Sequence, residues 1–531
     1  MNLTLSLTLA IVFGGILTAF FLSLCTRRQL GILQQEGYSS EALLKWCFKK
    51  GNLEGRRLSL LALSLLLLTA LVNLCFCFAG YKIANLIALA PYAGIYALYV
   101  LSEERRALKV PVKFTARLTR LTVCNTLFVA ALSCGFAFAC EAVAQAVGSE
   151  WYFLFRYVPF AALPFAVPFV LAFSNLVMRL YEIPHAKKFV TRARRALENS
   201  ACVKVGITGS FGKTSVKGFA ETILSEKFRV LATPSSYNTP LGIARTVNEK
   251  GLDCEIFLAE MGARRTGDIA ELCELVNPAF GVVTGVCGQH LETFGTLEAV
   301  RAEKGVLARR AAHVVLGASV ADMAEGKENA LVAGRDFGAE EIVLSERGVA
   351  FTLLLKGEKL PVELPLFGRQ VAENVALAAA LALQLGMSKE EIAAGISKIR
   401  PVPHRLEKRE GNGLVILDDA YNSNPEGAKN AVEALRAFGG KKCVVTPGLV
   451  ELGAIETETN EALGRTLAGL DLVILVGETR VLPVRNGYLA AGGEESRLFL
   501  VPALEKAQEI FTEKLSAGGC ILFLNDLPDK Y

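Results

Sequence analysis

The chain has 531 residues, enough for several domains, and 52% of them are apolar with a mean hydropathy of +0.38, above an ordinary soluble composition. Residues 1 to 200 carry 21 Lys/Arg against 9 Asp/Glu, leaving 36 against 43 in the rest, so the second part lacks the basic face of a nucleic-acid binder. The six cysteines after residue 200 show no CxxC or His/Cys ligand spacing, which argues for reduced, buried thiols and against a structural metal.

Five apolar runs are long enough to cross a bilayer, which takes about 20 helical residues. They are roughly Leu3 to Cys25, Leu58 to Gly80, Ile83 to Leu101, Leu121 to Cys140 and Tyr157 to Met178. The first lacks the basic residues that precede a signal-peptide core, so it counts as a span. The loops Thr26–Arg57 and Ser102–Arg120 hold seven and six Lys/Arg, whereas the turn near Lys82 holds one and "EAVAQAVGSEW" none. That bias puts the N-terminus outside and both basic loops in the cytoplasm. Pro159, Pro164 and Pro168 predict kinks in the fifth run. A basic linker over residues 181–200, with Lys187, Lys188, Arg192, Arg194 and Arg195, then leads to a cytoplasmic remainder.

"CVKVGIT" reads as a buried parallel strand and "KTSVKGFAETILSEKF" as a helix. Between them lies a glycine-rich turn suited to phosphate. Gly206, Gly209 and Gly212 let the backbone approach the phosphates, and the N–H groups of Lys213, Thr214 and Ser215 open the helix. Lys213 can reach the terminal phosphates, and the Thr214 hydroxyl suits magnesium. Ile207 departs from the first glycine of the strict GxxxxGK[ST] pattern.

Further strands, "CEIFLAEMG", "FGVVTGV" and "AHVVLG", alternate with helices and predict a doubly wound parallel sheet with ligands at the strands' carboxyl ends. Glu260 stands at one such end and His290, in "GQHLETFG", at another. A carboxylate, an imidazole and a threonine hydroxyl beside a phosphate loop suit magnesium ions on ATP.

At these motifs the chain resembles the Mur ligases, ATP-dependent amide-bond-forming enzymes of peptidoglycan synthesis. "TGSFGKTSVK" is similar to their ATP loop, "AEMGARRTGDI" to their magnesium-binding glutamate segment, and "GQHLETFGTLEAVRAEKGVL" to their histidine segment and modified lysine. The resemblance implies that Lys304 is carbamoylated and binds a second magnesium ion, with Lys213, His290 and Lys304 at the chemistry. It also implies that Asn374, in "GRQVAENVALAAALALQLG", contacts the adenine, although Gln370 and Val371 stand where members often have a His-Asn pair.

"PVPHRLE" opens a third block and resembles the family's domain-crossing arginine segment, implying that Arg405 approaches the ATP phosphates on closure. His404 stands where other members often have glycine. "LVILDDAYNSNPEGAKNAVEAL" reads as a strand, an Asp/Asn-rich turn and a proline-initiated helix. It resembles the branch that joins D-alanyl-D-alanine to UDP-N-acetylmuramoyl-tripeptide, which implies Asp419 at the ribose and Tyr421, Asn422 and Asn424 in the catalytic loop.

The expected architecture is thus a five-span α-helical membrane domain (residues 1–180), the linker, an α/β Mur-ligase-type ATPase domain (201–398) and a smaller α/β C-terminal domain (399–531). Implied partners are ATP, magnesium, the bilayer of a bacterial cytoplasmic membrane, a peptide precursor with its amino acid or dipeptide, and membrane proteins of cell-wall synthesis. The resemblance runs from about Val203 and leaves the membrane part uncovered, with no counterpart of the family's UDP-sugar-gripping N-terminal domain. A lipid-linked precursor or a poly-γ-glutamate-type polymer is therefore an alternative acceptor. An ATP-driven transporter or nucleotide-gated regulator is the alternative from another class, against which the odd span number and absence of intramembrane carboxylates argue.

Overall fold

The computed structural model describes residues 3–49, 55–76, 94–95, 97–101, 108, 110–147, 158–289, 291–411, 413–420, 423–477, 480–515 and 518–525. They divide into two compact units, residues 1–185 and 186–526.

The first unit is helical: α1 (Leu3–Cys25), α2 (Arg27–Gln35), α3 (Ser40–Phe48), α4 (Gly55–Phe76), α5 (Ala116–Val147) and the start of α6 (Val158–Glu198). Ala19 and Leu22 of α1, Leu61 and Leu65 of α4, Val129 of α5, and Val167 and Val170 of α6 form its core. The basic loop after α1 folds as the α2–α3 hairpin, seated by Leu30, Ile32, Leu33, Leu43 and Trp46 on Leu118, Leu121 and Leu171. Among the described residues, Ala116–Phe136 and Pro164–Glu198 are long and apolar enough to cross a membrane; Gly15–Cys25 with Arg27–Gln35, bent by 49°, makes a third if counted as one span. Leu58–Leu68 is a shorter apolar helix, and most of the run Ile83–Leu101 lies outside the described residues.

The stretch 181–200, expected as a linker, is helical through Glu198. Phe189, Val190, Ala193 and Leu197 form a stripe at helical spacing among the basic residues and join a core with Ile243, Val247, Ile269 and Leu272 of the second unit. Asn248 fixes the contact by donating from Nδ2 to Phe189 O at 2.9 Å.

The second unit holds two α/β domains. In the first, six strands, β1 (Val203–Thr208), β2 (Val230–Ala232), β3 (Ile256–Glu260), β4 (Phe280–Val283), β5 (His313–Leu316) and β6 (Ala330–Val332), form a parallel sheet in the order β2-β3-β1-β4-β5-β6. The central β1 carries the glycine-rich turn, which leads into α7 (Lys213–Leu224). After α8 (Pro240–Lys250), α9 (Asp268–Val276), α10 (Leu291–Phe294) and α11 (Leu297–Arg310), an antiparallel sheet of β7 (Phe337–Ser345), β8 (Gly348–Leu355) and β9 (Glu358–Leu364) precedes α12 (Gln370–Gln384). The alanine-rich α12 packs with α7, β1 and β8 in one core, the small side chains permitting close approach.

In the second domain, β10 (Glu407–Gly411), β11 (Leu414–Asp419), β12 (Lys442–Thr446), β13 (Leu472–Val476), β14 (Leu498–Val501) and β15 (Cys520–Leu524) are ordered β10-β11-β15-β12-β13-β14. All neighbours are parallel except β10 and β11. Its strand ends therefore offer a second ligand-facing rim.

Leu197 is 1% exposed. Leu197→Ala is expected to lower the stability of the second unit by about 2–4 kcal/mol in denaturant unfolding, whereas the exposed Arg195→Ala shifts it by under about 0.5 kcal/mol.

Candidate active site

Crowding explains the glycines. Gly209 (φ +148°) and Gly212 (φ +74°) lie in conformations L side chains rarely adopt; a Cβ would meet Thr284 Oγ1 at 2.0 Å in one case and Asn374 Oδ1 at 2.5 Å in the other. Ser210 N donates to Gly285 O at 2.8 Å, tying the turn to the end of β4. Thr214 and Ser215 open α7 after Gly212, and Lys213 Nζ bends back to donate to Gly209 O at 2.7 Å.

Around this turn the structure gathers most of the expected charges. Glu260, 1% exposed at the end of β3, accepts from Asn238 Nδ2 at 3.1 Å through Oε1 and from Lys217 Nζ at 3.2 Å through Oε2. Burial holds the Lys213 amine below its ordinary value, with Glu260 opposing the shift and Arg405 adding to it. Lys304, 2% exposed on α11, is pushed down to about 7, first by burial and then by the charge of Lys213, against Glu303 and Asp268. Across the cleft, burial raises Asp419 to about 7, opposed by Arg405 and by a hydrogen bond from Leu406 N. The charge of Arg405 thus acts on Lys213 in one domain and on Asp419 in the other.

A nucleotide suits this arrangement. Asn374 is buried, and its Oδ1 has no hydrogen-bond partner among the described residues, an unmet acceptor beside the glycine turn. His290, Tyr421 and Asn422 lie outside the described residues. Asn424 caps α13 (Pro425–Arg436) by accepting from Gly427 N at 2.9 Å, which fixes where the Asp/Asn-rich turn ends.

Residues 207–382 match the Mur ligase middle domain and residues 404–524 the Mur ligase glutamate ligase domain. The UDP-N-acetylmuramoyl-tripeptide–D-alanyl-D-alanine ligase of Mycobacterium bovis is 31% identical over 363 residues, covering 63% of this chain and 70% of the relative. The chain belongs to the Mur ligase family. It is accordingly an ATP-dependent ligase. The Escherichia coli ligase of the same name is 31% identical over 290 residues, 52% of this chain and 64% of the relative. Among solved structures, MurF from Thermotoga maritima in complex with ADP superposes with a TM-score of 0.58 at 27% identity, covering 64% of this chain and 80% of that one.

Several residues of this Mur ligase site gave no sign of a role in the sequence. Lys217 is four residues beyond Lys213, so one helical face carries both ammonium groups, but only the tertiary structure sets Lys217 on Glu260. Glu303 accepts from Gly267 N at 2.8 Å and Ile269 N at 2.7 Å, pinning α11 to the start of α9 next to Lys304. Asn525 (φ +61°) donates through Nδ2 to Gly448 O at 2.6 Å and accepts from Ser423 N at 3.2 Å. It thereby ties the turn after β11 to the loop after β12. His404 adopts φ +59°, a conformation glycine takes at no steric cost, and its Nδ1 lies 2.9 Å from Asp418 Oδ2. His404, Glu407 and Asp418 cluster closely enough for a cation, but Arg409 already pairs with both carboxylates, at 2.8 and 3.2 Å.

Gly212→Ala is expected to weaken ADP binding at least tenfold in calorimetric titration while the far-ultraviolet spectrum stays native. Lys217→Met strips the cation from a buried carboxylate and is expected to cost about 3–5 kcal/mol in denaturant unfolding.

Proposed function

We propose that this ligase joins D-alanyl-D-alanine to the tripeptide carboxylate of UDP-N-acetylmuramoyl-tripeptide, working at the cytoplasmic face of a bacterial membrane. The observation that supports this most is the convergence of Lys213, Glu260, Lys304, Arg405 and Asp419 on one glycine turn between two α/β domains.

In this reading the substrate carboxylate attacks the γ-phosphorus of ATP. A carboxylate O–P bond forms as the bond to the β-phosphate oxygen breaks, and ADP leaves. The amine then attacks the acyl carbon, inorganic phosphate departs with the C–O electron pair, and the ammonium proton passes to solvent. Lys213 and Arg405 offset the charge that develops on the transferring group. Asn374 receives the adenine amino group and Asp419 the ribose. Thr214, Glu260, His290 and a carbamoylated Lys304 would hold magnesium, which supplies positive charge to the phosphates. Tyr421, Asn422 and Asn424 shape the loop that meets the acceptor, and closure of the C-terminal domain excludes water from the acyl phosphate.

The environment of Lys304 supports carbamoylation. A neutral amine adds to carbon dioxide, forming an N–C bond and releasing a proton, and burial holds this amine's pKa at about 7. Below that pH the ammonium form prevails and cannot react; above it the neutral form is available. With ¹³C-bicarbonate, a carbamate resonance is expected to grow between pH 6 and pH 8 and to be absent from Lys304→Arg.

A second reading changes the acceptor. The family match begins at residue 207, leaving a helical unit with two or three candidate spans before it. Five spans with an external N-terminus would hold the ligase at the membrane, where a lipid-linked precursor could replace the UDP-linked one. Purified protein with ATP, magnesium, UDP-N-acetylmuramoyl-tripeptide and D-alanyl-D-alanine is expected to yield the UDP-linked pentapeptide by mass spectrometry. Lys213→Ala is expected to lower that rate at least a hundredfold. No product from the UDP-linked substrate, alongside intact ADP binding, would turn the assignment to the lipid-linked acceptor.

A further inference from the structure

Apart from the nucleotide cleft, the helical unit gathers arginines where α5 begins. Arg117 and Arg120 lie in the first turns of α5, and Arg179 and Glu182 follow on α6. Arg120 is neutralised: its Nε and Nη2 reach Glu182 Oε1 at 2.9 and 2.6 Å. Arg117 is half-buried, with Arg120, Arg179 and Glu182 as its charged neighbours, and its guanidinium carbon lies 3.7 Å from the centroid of the Tyr38 ring. Arg179 is exposed, and among the described residues neither Arg117 nor Arg179 has an ion-pair partner.

The ring under Arg117 is braced. Tyr38 takes a left-handed conformation (φ +64°) in the α2–α3 turn, and its N–H donates to Leu33 O at 2.8 Å. Its carbonyl accepts from Nδ2 of the buried Asn175 at 2.9 Å, and the same amide reaches Ser40 Oγ at 2.8 Å. Three chain segments therefore fix one arginine face-down on an aromatic ring, its planar fork without an ion-pair partner among the described residues. The positive-inside bias accounts for basic residues in cytoplasmic loops, but not for a buried polar brace under one of them. Among the described residues, three arginines against one glutamate leave a net charge of about +2 here. Guanidinium forks bind phosphate oxygens in pairs, and basic pockets between membrane helices on the cytoplasmic side take lipid headgroups.

We propose that Arg117 and Arg179, backed by the Arg120–Glu182 pair, bind the headgroup of a lipid diphosphate. This rests on the reading of α5 and α6 as membrane helices and gives the lipid-linked acceptor a place to dock. The diphosphate carries two or more negative charges and matches the cluster better than the single charge of a phosphodiester.

The test uses the full chain in phosphatidylcholine nanodiscs, probed by native mass spectrometry with a polyprenyl diphosphate, phosphatidylglycerol or inorganic pyrophosphate. The polyprenyl diphosphate is expected to be retained at least tenfold over phosphatidylglycerol, and Arg117→Gln with Arg179→Gln to lose at least tenfold in that affinity. Arg179→Gln alone removes an exposed side chain, cannot unfold the unit, and should still lose at least threefold. ADP binding within twofold of wild type marks an intact catalytic unit. Equal retention of phosphatidylglycerol, a preference for free pyrophosphate, or full affinity in the double variant would overturn the site. Full-rate synthesis from the UDP-linked precursor without lipid diphosphate binding sinks this site and leaves the ligase assignment standing; lipid binding without any amide product does the reverse.

Discussion

A buried carboxylate governs the chemistry of the second unit. Glu260 ends β3 with almost no solvent contact, and the hydrogen bonds from Lys217 and Asn238 offset the cost of a charge in that position. Its field keeps cations in the cleft, opposing the desolvation of Lys213. The enclosure in turn raises the cost of charging Lys304, burial being the largest cause and the charge of Lys213 the next. Acid and amine are thus tuned by one enclosure, and the tuning comes from the fold around them.

The boundary between the two α/β domains carries its own constraint. His404 and Leu406 both take positive φ angles between β10 and the preceding domain, so the connection turns sharply twice within three residues. Arg405 stands between them, and its charge acts on Lys213 in one domain and Asp419 in the other. A short strained connection whose one intervening side chain acts electrostatically on both domains makes the charge balance of the cleft depend on domain placement.

Legibility in the sequence followed the range of the interaction. The glycine turn, its strand and helix, and the lysine and threonine after it are local features set by spacing, and all stand where the pattern put them. Glu260 was readable because strand ends in a parallel sheet form the rim where ligands bind, whereas Asp419 came only with the family resemblance. Lys217, Asn238, Glu303 and Asn525 were not, since each owes its role to a partner at least 22 residues away. The basic stretch before β1 misled in a different way: its charges masked the apolar stripe Phe189, Val190, Ala193 and Leu197, which only a helical projection reveals. In the first unit, hydropathy identified helices, whereas the α2–α3 hairpin inside a basic loop required knowing what it packs against.

That stripe on α6 also bears on biosynthesis. Leu197 leaves the ribosome before Ile243, Val247, Ile269 and Leu272, the side chains that will cover it. At about 5–20 residues per second, the last of these follows by roughly 4 to 15 seconds. During that interval the nascent helix presents an uncovered apolar edge flanked by positive charge, so the order of synthesis makes this segment a natural client for chaperones and leaves the catalytic unit unable to finish folding until its first sheet has been translated.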